Sequence, residues 1–337
     1  MTDWRDAVDA GLELSVVGSF SSVGPTVRRR LFDWSTPRAD VLAGRTVLIT
    51  GPTSGLGRAA AERLADLGAR LVLVGRSAER LALLRAELVQ HHGADRFLTV
   101  VADMGSLASV RSAVDLILSR ESRLDVLVDS AGAIFPRREL GPDRIERTFA
   151  TLVVGPFALV AGLRPLLRAT GGRVIAVTSG GQYAQRLPLD DLEYETGAYE
   201  GTRAYARAKR AQVALMREWA RRLAPDGIAA MAMHPGWADT PGLAEALPGF
   251  HRQMRPILRT PAEGIDTLVW LATAPDGARF SGGLFLDRRR RPFDRLPTTR
   301  LSLDARRTLW ERVSELATSA QTGVLAATGG ERRRRPA

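Results

Sequence analysis

The stretch Thr50-Gly51-Pro52-Thr53-Ser54-Gly55-Leu56-Gly57 follows an aliphatic run, Arg45 to Thr50, and opens a segment with helical spacing. Gly51 permits a sharp turn, Gly55 lets the backbone approach a pyrophosphate, and Gly57 permits close packing of the helix. Thr53, Ser54 and Leu56 complete the turn, and the helix amino terminus offers free N–H groups and a positive dipole end to phosphate oxygens. Set between strand and helix, the loop points to dinucleotide binding. A second feature is compositional. Of 48 Lys and Arg residues, only Lys209 is a lysine, and the chain contains no asparagine and no cysteine.

The Gly-xxx-Gly-x-Gly spacing resembles that of the short-chain dehydrogenase/reductase family. The resemblance implies a Rossmann fold binding NAD or NADP, a Tyr-xxx-Lys pair on a helix and a serine upstream. Here these are Tyr205 and Lys209 in YARAK and Ser179 in VTSGG. The spacing of four puts the tyrosine and the lone lysine a turn apart on one helical face. In the implied chemistry Tyr205 is the general acid/base and Ser179 holds the carbonyl oxygen. The Lys209 ammonium favours the phenolate, bringing a phenol of pKa about 10 toward the working range, and donates to the nicotinamide ribose.

Other positions follow from the same resemblance. Arg76, after the second aliphatic run, sits where a basic residue meets a 2′-phosphate, so NADP is preferred and NAD remains open. Asp103, with Met104, resembles the residue that meets adenine, and Ala131 and Gly132 resemble the small residues that let the cofactor lie close. Pro235 and Gly236 resemble the turn over the nicotinamide, with Thr240 near its carboxamide. The segments GGQYAQRLPLDDLEYETGAYEGTRAYARAKRAQ and MHPGWADTPGL resemble the dehydrogenase/reductase member 12 branch, and the likeness extends to about residue 316. Pocket residues of the family come from 180–204 and the loop after Pro235. These segments are rich in Leu, Pro and Trp here, which implies an apolar ketone, aldehyde or alcohol as substrate.

Two positions depart from the pattern. The family's Asn-Asn-Ala-Gly reads Asp129-Ser130-Ala131-Gly132, and Leu152 occupies the place of an asparagine that supports a water chain reprotonating the tyrosine through lysine. Leucine cannot hold that water. A non-catalytic NAD(P)-binding sensor or scaffold is therefore the alternative reading.

Elements that would position these residues are legible as continuous Val/Ile/Leu runs at 45–50, 70–75, 96–101, 123–129, 172–179, 227–235 and 282–287. Such runs fit parallel strands covered on both faces, and the helical segments between them imply a doubly wound α/β sheet of about seven strands. The expected organisation is an amino-terminal helical extension (1–43), a Rossmann-fold NAD(P)-binding catalytic domain (44–287) and a basic carboxy-terminal extension (288–337) ending in disorder. Trp4, Val8, Leu12 and Val16 would form an apolar stripe in the first part.

The chain has 337 residues and a net charge of +11, of which +8 lies beyond residue 287. Charge therefore characterises the tail rather than the body. Arg288–Arg291 and Arg332–Arg335 leave a weak case for contact with nucleic acid or an anionic membrane. Four isolated histidines give no metal ligand set, and no apolar run reaches the roughly 20 residues of a membrane span. A cytoplasmic location is expected, and the family's habit implies a homo-oligomer.

Overall fold

The computed structural model describes residues 3–275 and 277–328. Three helices, α1 (Trp4–Leu14), α2 (Val16–Phe20) and α3 (Val23–Leu31), precede the alternating unit. That unit runs β1 (Thr46–Thr50), α4 (Gly55–Asp66), β2 (Arg70–Gly75), α5 (Ala78–His92), β3 (Phe97–Val101), α6 (Leu107–Arg120) and β4 (Val126–Asp129). It continues with α7 (Gly155–Arg168), β5 (Arg173–Val177), α8 (Gly201–Leu223), β6 (Ala229–Met233), α9 (Pro241–Ala246), α10 (Pro248–Met254), α11 (Pro261–Thr273), β7 (Leu284–Leu286), β8 (Arg289–Arg291) and α12 (Leu303–Thr328).

The strands form one sheet in the order β3-β2-β1-β4-β5-β6-β7-β8, parallel throughout except for the antiparallel β7–β8 pair. Both faces are apolar. Leu48, Val72, Leu127, Val174 and Ala230 face one core with residues of α6, α7 and α8. Val47, Ile49, Leu71, Leu73 and Ile175 face the other, beneath α4, α5 and α11. Burial on both faces explains why these strands read as unbroken aliphatic runs. Strand order reverses between β1 and β4, and at such a switch point the loops leaving the carboxyl ends diverge to open a crevice.

The eighth strand lies in what the sequence assigns to the basic extension. An Arg-Arg-Arg strand carries no apolar run, so periodicity cannot reveal it. The arginines of this stretch are largely spent inside the fold: Arg288, just before the strand, pairs with Asp266 at 2.7 Å, Arg289 with Asp6 at 2.6 Å and Arg291 with Asp9 at 2.8 Å. Arg288–Arg291 is thus not the free basic patch expected. Arg332–Arg335, and the disorder expected there, lie outside the described residues.

The amino-terminal helices dock through their polar side. Trp4, Val8 and Val16 of the expected stripe are exposed, whereas Asp9, Ser19, Phe20 and Arg28 are buried. Arg28 meets Asp9 and Asp287, each at 2.6 Å, and Glu13 at 3.1 Å. Arg259 meets Asp287 at 2.6 Å and donates to the carbonyls of Ser19, Phe20 and Ser21. At the other end of the chain α12 covers α7 and α8, where Trp310 packs 4.5 Å from Trp219 and 4.8 Å from Phe157, centroid to centroid.

Candidate active site

The loops after β1, β2, β4, β5 and β6 line a cleft of about 1010 Å³. Gly51, Thr53, Ser54, Gly55, Leu56 and Gly57 form its floor at the amino end of α4. At Gly57 an added Cβ would stand 2.0 Å from the carbonyl oxygen of Gly51, so no side chain fits without dismantling the turn. Gly51 has φ +68°, and a Cβ there would meet the Ala131 Cα at 2.9 Å. Ser54 caps α4 without a side-chain hydrogen bond, which leaves the first N–H groups open to an anion. The cradle therefore fits a dinucleotide pyrophosphate. Gly57→Ala is expected to weaken NADPH binding by about tenfold or more, a loss of about 1.4 kcal/mol, measured by quenching of bound-nucleotide fluorescence.

Thr50, last residue of β1, ties this floor to the next loop. Its Oγ1 accepts from the N–H groups of Ser130 and Ala131 at 3.0 and 2.9 Å and donates to Asp129 Oδ1 at 3.3 Å. Ala131 and Gly132 so form the wall opposite Gly51. Asp103 and Met104 lie after β3, with Asp103 Oδ1 accepting from the Gly105 N–H at 2.9 Å. Arg76 is exposed at the mouth after β2, and Arg80, which the sequence reading missed, lines the same corner one turn along. Neither guanidinium meets a carboxylate among the described residues.

Ser179 lies two residues beyond β5, and Tyr205 and Lys209 reach the cleft from α8. The Tyr205 and Ser179 side chains share the cleft, with the Ser179 hydroxyl favouring the phenolate of Tyr205. Thr178 Oγ1 donates to the Lys209 carbonyl at 3.1 Å and seats the helix on the strand. Lys209 Nζ donates to Val177 O at 2.7 Å and lies 5.7 Å from the Tyr205 ring centroid. Burial pulls the ammonium down to about 8, against the opposing charge of Asp129. The expectation that Lys209 lowers Tyr205 is corrected: burial pushes the phenol up to about 12, opposed only by the Ser179 hydrogen bond.

A model of the family described as short chain dehydrogenase matches residues 45–249. The chain belongs to the short-chain dehydrogenase/reductase family. Dehydrogenase/reductase SDR family member 12 of Bos taurus is 40% identical over 261 residues, 77% of this chain and 81% of that protein. The 3-ketoacyl-(acyl-carrier-protein) reductase of Brucella melitensis complexed with NADH superposes with TM-score 0.59 at 25% identity, covering 72% of this chain and 96% of that one. A short chain dehydrogenase of Escherichia coli CFT073 complexed with NADPH gives 0.61 at 25% identity, covering 75% and 100%. As a member of this family the chain is an NAD(P)-binding oxidoreductase acting on CH–OH and C=O groups.

The short-chain dehydrogenase/reductase pattern also brings its departures into view. Leu152 is fully buried in a π-helical turn, Ala150–Val154, at the head of α7. Its Cδ2 would stand 3.7 Å from a Cβ placed on Gly132, so an apolar group backs the cleft wall. Pro235 and Gly236 follow β6, Gly236 at φ +73° donating its N–H to His234 Nδ1 at 3.2 Å. His234 is completely buried beneath this turn, and burial holds it well below its ordinary range. Thr240 lines the cleft, while its Oγ1 caps α9 by accepting from Leu243 N–H at 3.3 Å.

The open end of the cleft is walled by Ile134, Trp237, Leu243, Leu247 and Phe250. Trp237 and Phe250 meet edge to face at 5.2 Å. Phe20 is the unforeseen contributor. Its carbonyl accepts from Trp237 N–H at 2.7 Å and its ring packs 5.8 Å from that indole. Nothing in the sequence couples residue 20 to residue 237, because one contact is made by a backbone carbonyl and the other only once the fold brings the two rings together.

Proposed function

We propose that the chain is an NADP(H)-dependent reductase of apolar ketones or aldehydes, interconverting them with their alcohols. One observation carries the reading: a single cleft has two guanidiniums, Arg76 and Arg80, at one end, neither paired with a carboxylate among the described residues. At the other, Ser179 and Tyr205 line the cleft beside an apolar wall. When bound, the dinucleotide supplies the hydride. Ser179 would orient the carbonyl oxygen, Tyr205 would deliver its proton to that oxygen, and Lys209 would hold the ribose with the N–H not given to the protein. Trp237, Leu247 and Phe250 would exclude water and accept an apolar body.

Arg76 and Arg80 would form charge-assisted hydrogen bonds to a 2′-phosphate. Replacing both by alanine is expected to raise the dissociation constant for NADPH about 10- to 100-fold and leave NADH within about twofold, each read by fluorescence titration at fixed salt. Equal losses for both nucleotides would remove the NADP preference. Leu152 favours a second reading, a non-catalytic dinucleotide-binding protein; bound NADPH with no turnover would support it.

A further inference from the structure

Lys209 is the single lysine of the chain, and it is buried at 2% exposure. Besides the bond to Val177, its Nζ donates to Gln212 Oε1 at 3.2 Å. Gln212, also buried, donates through Nε2 to Asp129 Oδ2 at 2.5 Å. Asp129, at the end of β4, is 3% exposed, and its Oδ1 accepts from Thr50.

The donor and acceptor inventory fixes the sense of every bond in this chain. An ammonium can only donate, so the amide oxygen of Gln212 must face Lys209 and its NH₂ must face Asp129. Both lone-pair sites of Thr50 Oγ1 are taken by the Ser130 and Ala131 N–H groups, so its proton must go to Asp129. Both oxygens of Asp129 therefore accept, which is the pattern of a carboxylate. Burial pushes its carboxyl up, and the Lys209 charge with the Gln212 and Thr50 hydrogen bonds opposes that rise.

We infer that Asp129 and Lys209 form a buried ion pair bridged by the Gln212 amide, in which Asp129 is a positioning residue that keeps the ammonium charged and aimed into the cleft. The groups that contact the ammonium are neutral: Val177 O and Gln212 Oε1 accept from it, and the Tyr205 ring lies 5.7 Å away. Asp129 is the charge that acts on it. A lysine buried without such a partner sheds its proton toward neutral pH, and so loses both its charge and a donor. The arrangement answers the loss noted at Leu152. Where that side chain leaves no seat for a water chain, a fixed carboxylate sustains Lys209 through the Gln212 amide. The inference rests on Lys209 serving the site proposed above, but the test does not depend on turnover.

Because the chain has one lysine, labelling with ¹³Cε-lysine gives a single side-chain resonance for Lys209, which can be titrated by NMR in the full-length protein. Asp129→Asn, isosteric and uncharged, is expected to lower the midpoint by about one unit or more. Gln212→Met, which cuts the bridge, is expected to lower it as well. The double variant Asp129→Asn/Gln212→Glu puts a carboxylate directly against Nζ and is expected to restore the wild-type midpoint or exceed it. In parallel, NADPH affinity of Asp129→Asn should fall about tenfold between pH 6 and 8 while that of the wild type changes less. A midpoint unchanged within about 0.3 unit in folded Asp129→Asn or Gln212→Met would overturn the ion pair, as would a folded double variant that titrates like the single one. Failure of carbonyl reduction with these titrations as expected would instead count against the proposed function alone.

Discussion

Tyr205→Phe is expected to lower kcat for NADPH-dependent carbonyl reduction by about 10² to 10⁴-fold while leaving NADPH affinity within about twofold. Only the hydroxyl is removed, and the ring keeps its place against the apolar core. Ser179 would still meet the carbonyl oxygen, but nothing would protonate it as charge develops. Steady-state loss of NADPH absorbance, with single-turnover measurements to separate chemistry from release, checks the size and the step. The pH dependence follows from the same geometry. A phenol pushed up to about 12 by burial remains protonated across the physiological range, so reduction has its proton at hand and oxidation lacks a ready base. Lys209, pulled down to about 8 by burial against the charge of Asp129, sets the upper limit. Reductive kcat/KM should therefore decline above about pH 8 rather than near the tyrosine value, as the ammonium is lost from the free enzyme.

Arg259→Met should destabilise the protein by about 3–5 kcal/mol, the cost of leaving a buried carboxylate without one of its partners. For a chain of this size that corresponds to a fall in Tm of roughly 6–15 °C. Arg259 is 1% exposed; it joins Asp287 to the carbonyls of Ser19, Phe20 and Ser21, and so holds the amino-terminal helices to the sheet edge. Asp287 would keep Arg28, so the network would be weakened rather than abolished. A kinetic signature should accompany the thermal one, because Phe20 braces Trp237 at the apolar end of the cleft: KM for an apolar carbonyl should rise with little change in kcat. Acid acts on the same network through Asp9. Burial pushes its carboxyl up, but the hydrogen bonds and charges of Arg291 and Arg28 prevail and hold it below 3.8. Its contribution is whole above pH 3.8 and is lost as the pH falls through the lowered native value.

Which parts of this were legible in the sequence depends on how each residue is held. Seven strands announce themselves because burial on both faces demands unbroken aliphatic runs. β8 does not, since two of its three arginines, Arg289 and Arg291, are stabilised by carboxylates about 280 residues away in sequence, Asp6 and Asp9. The stripe Trp4, Val8, Leu12 and Val16 misleads for a related reason. Apolar periodicity locates a buried face only where the partner is apolar, and the partner of α1 is a cluster of arginines. Gly51 to Gly57, Tyr205 and Lys209 are local patterns whose spacing carries their chemistry. Asp129 and Gln212 are 83 residues apart, and the hydrogen bond between them belongs to the fold. Arg80 sits one turn after Arg76 and could have been found by asking which neighbours on α5 share that corner.

The central claim is that this cleft passes hydride between NADPH and an apolar carbonyl under the control of Tyr205. It is tested most directly by incubating the protein with NADPH deuterated at the transferring position and a set of apolar ketones and aldehydes, with mass spectrometry of the alcohols. A single deuterium on the carbinol carbon, reduced in yield to near background in Tyr205→Phe, is the expected result. Tight NADPH binding with no label in any alcohol, or equal label from the tyrosine variant, would contradict it.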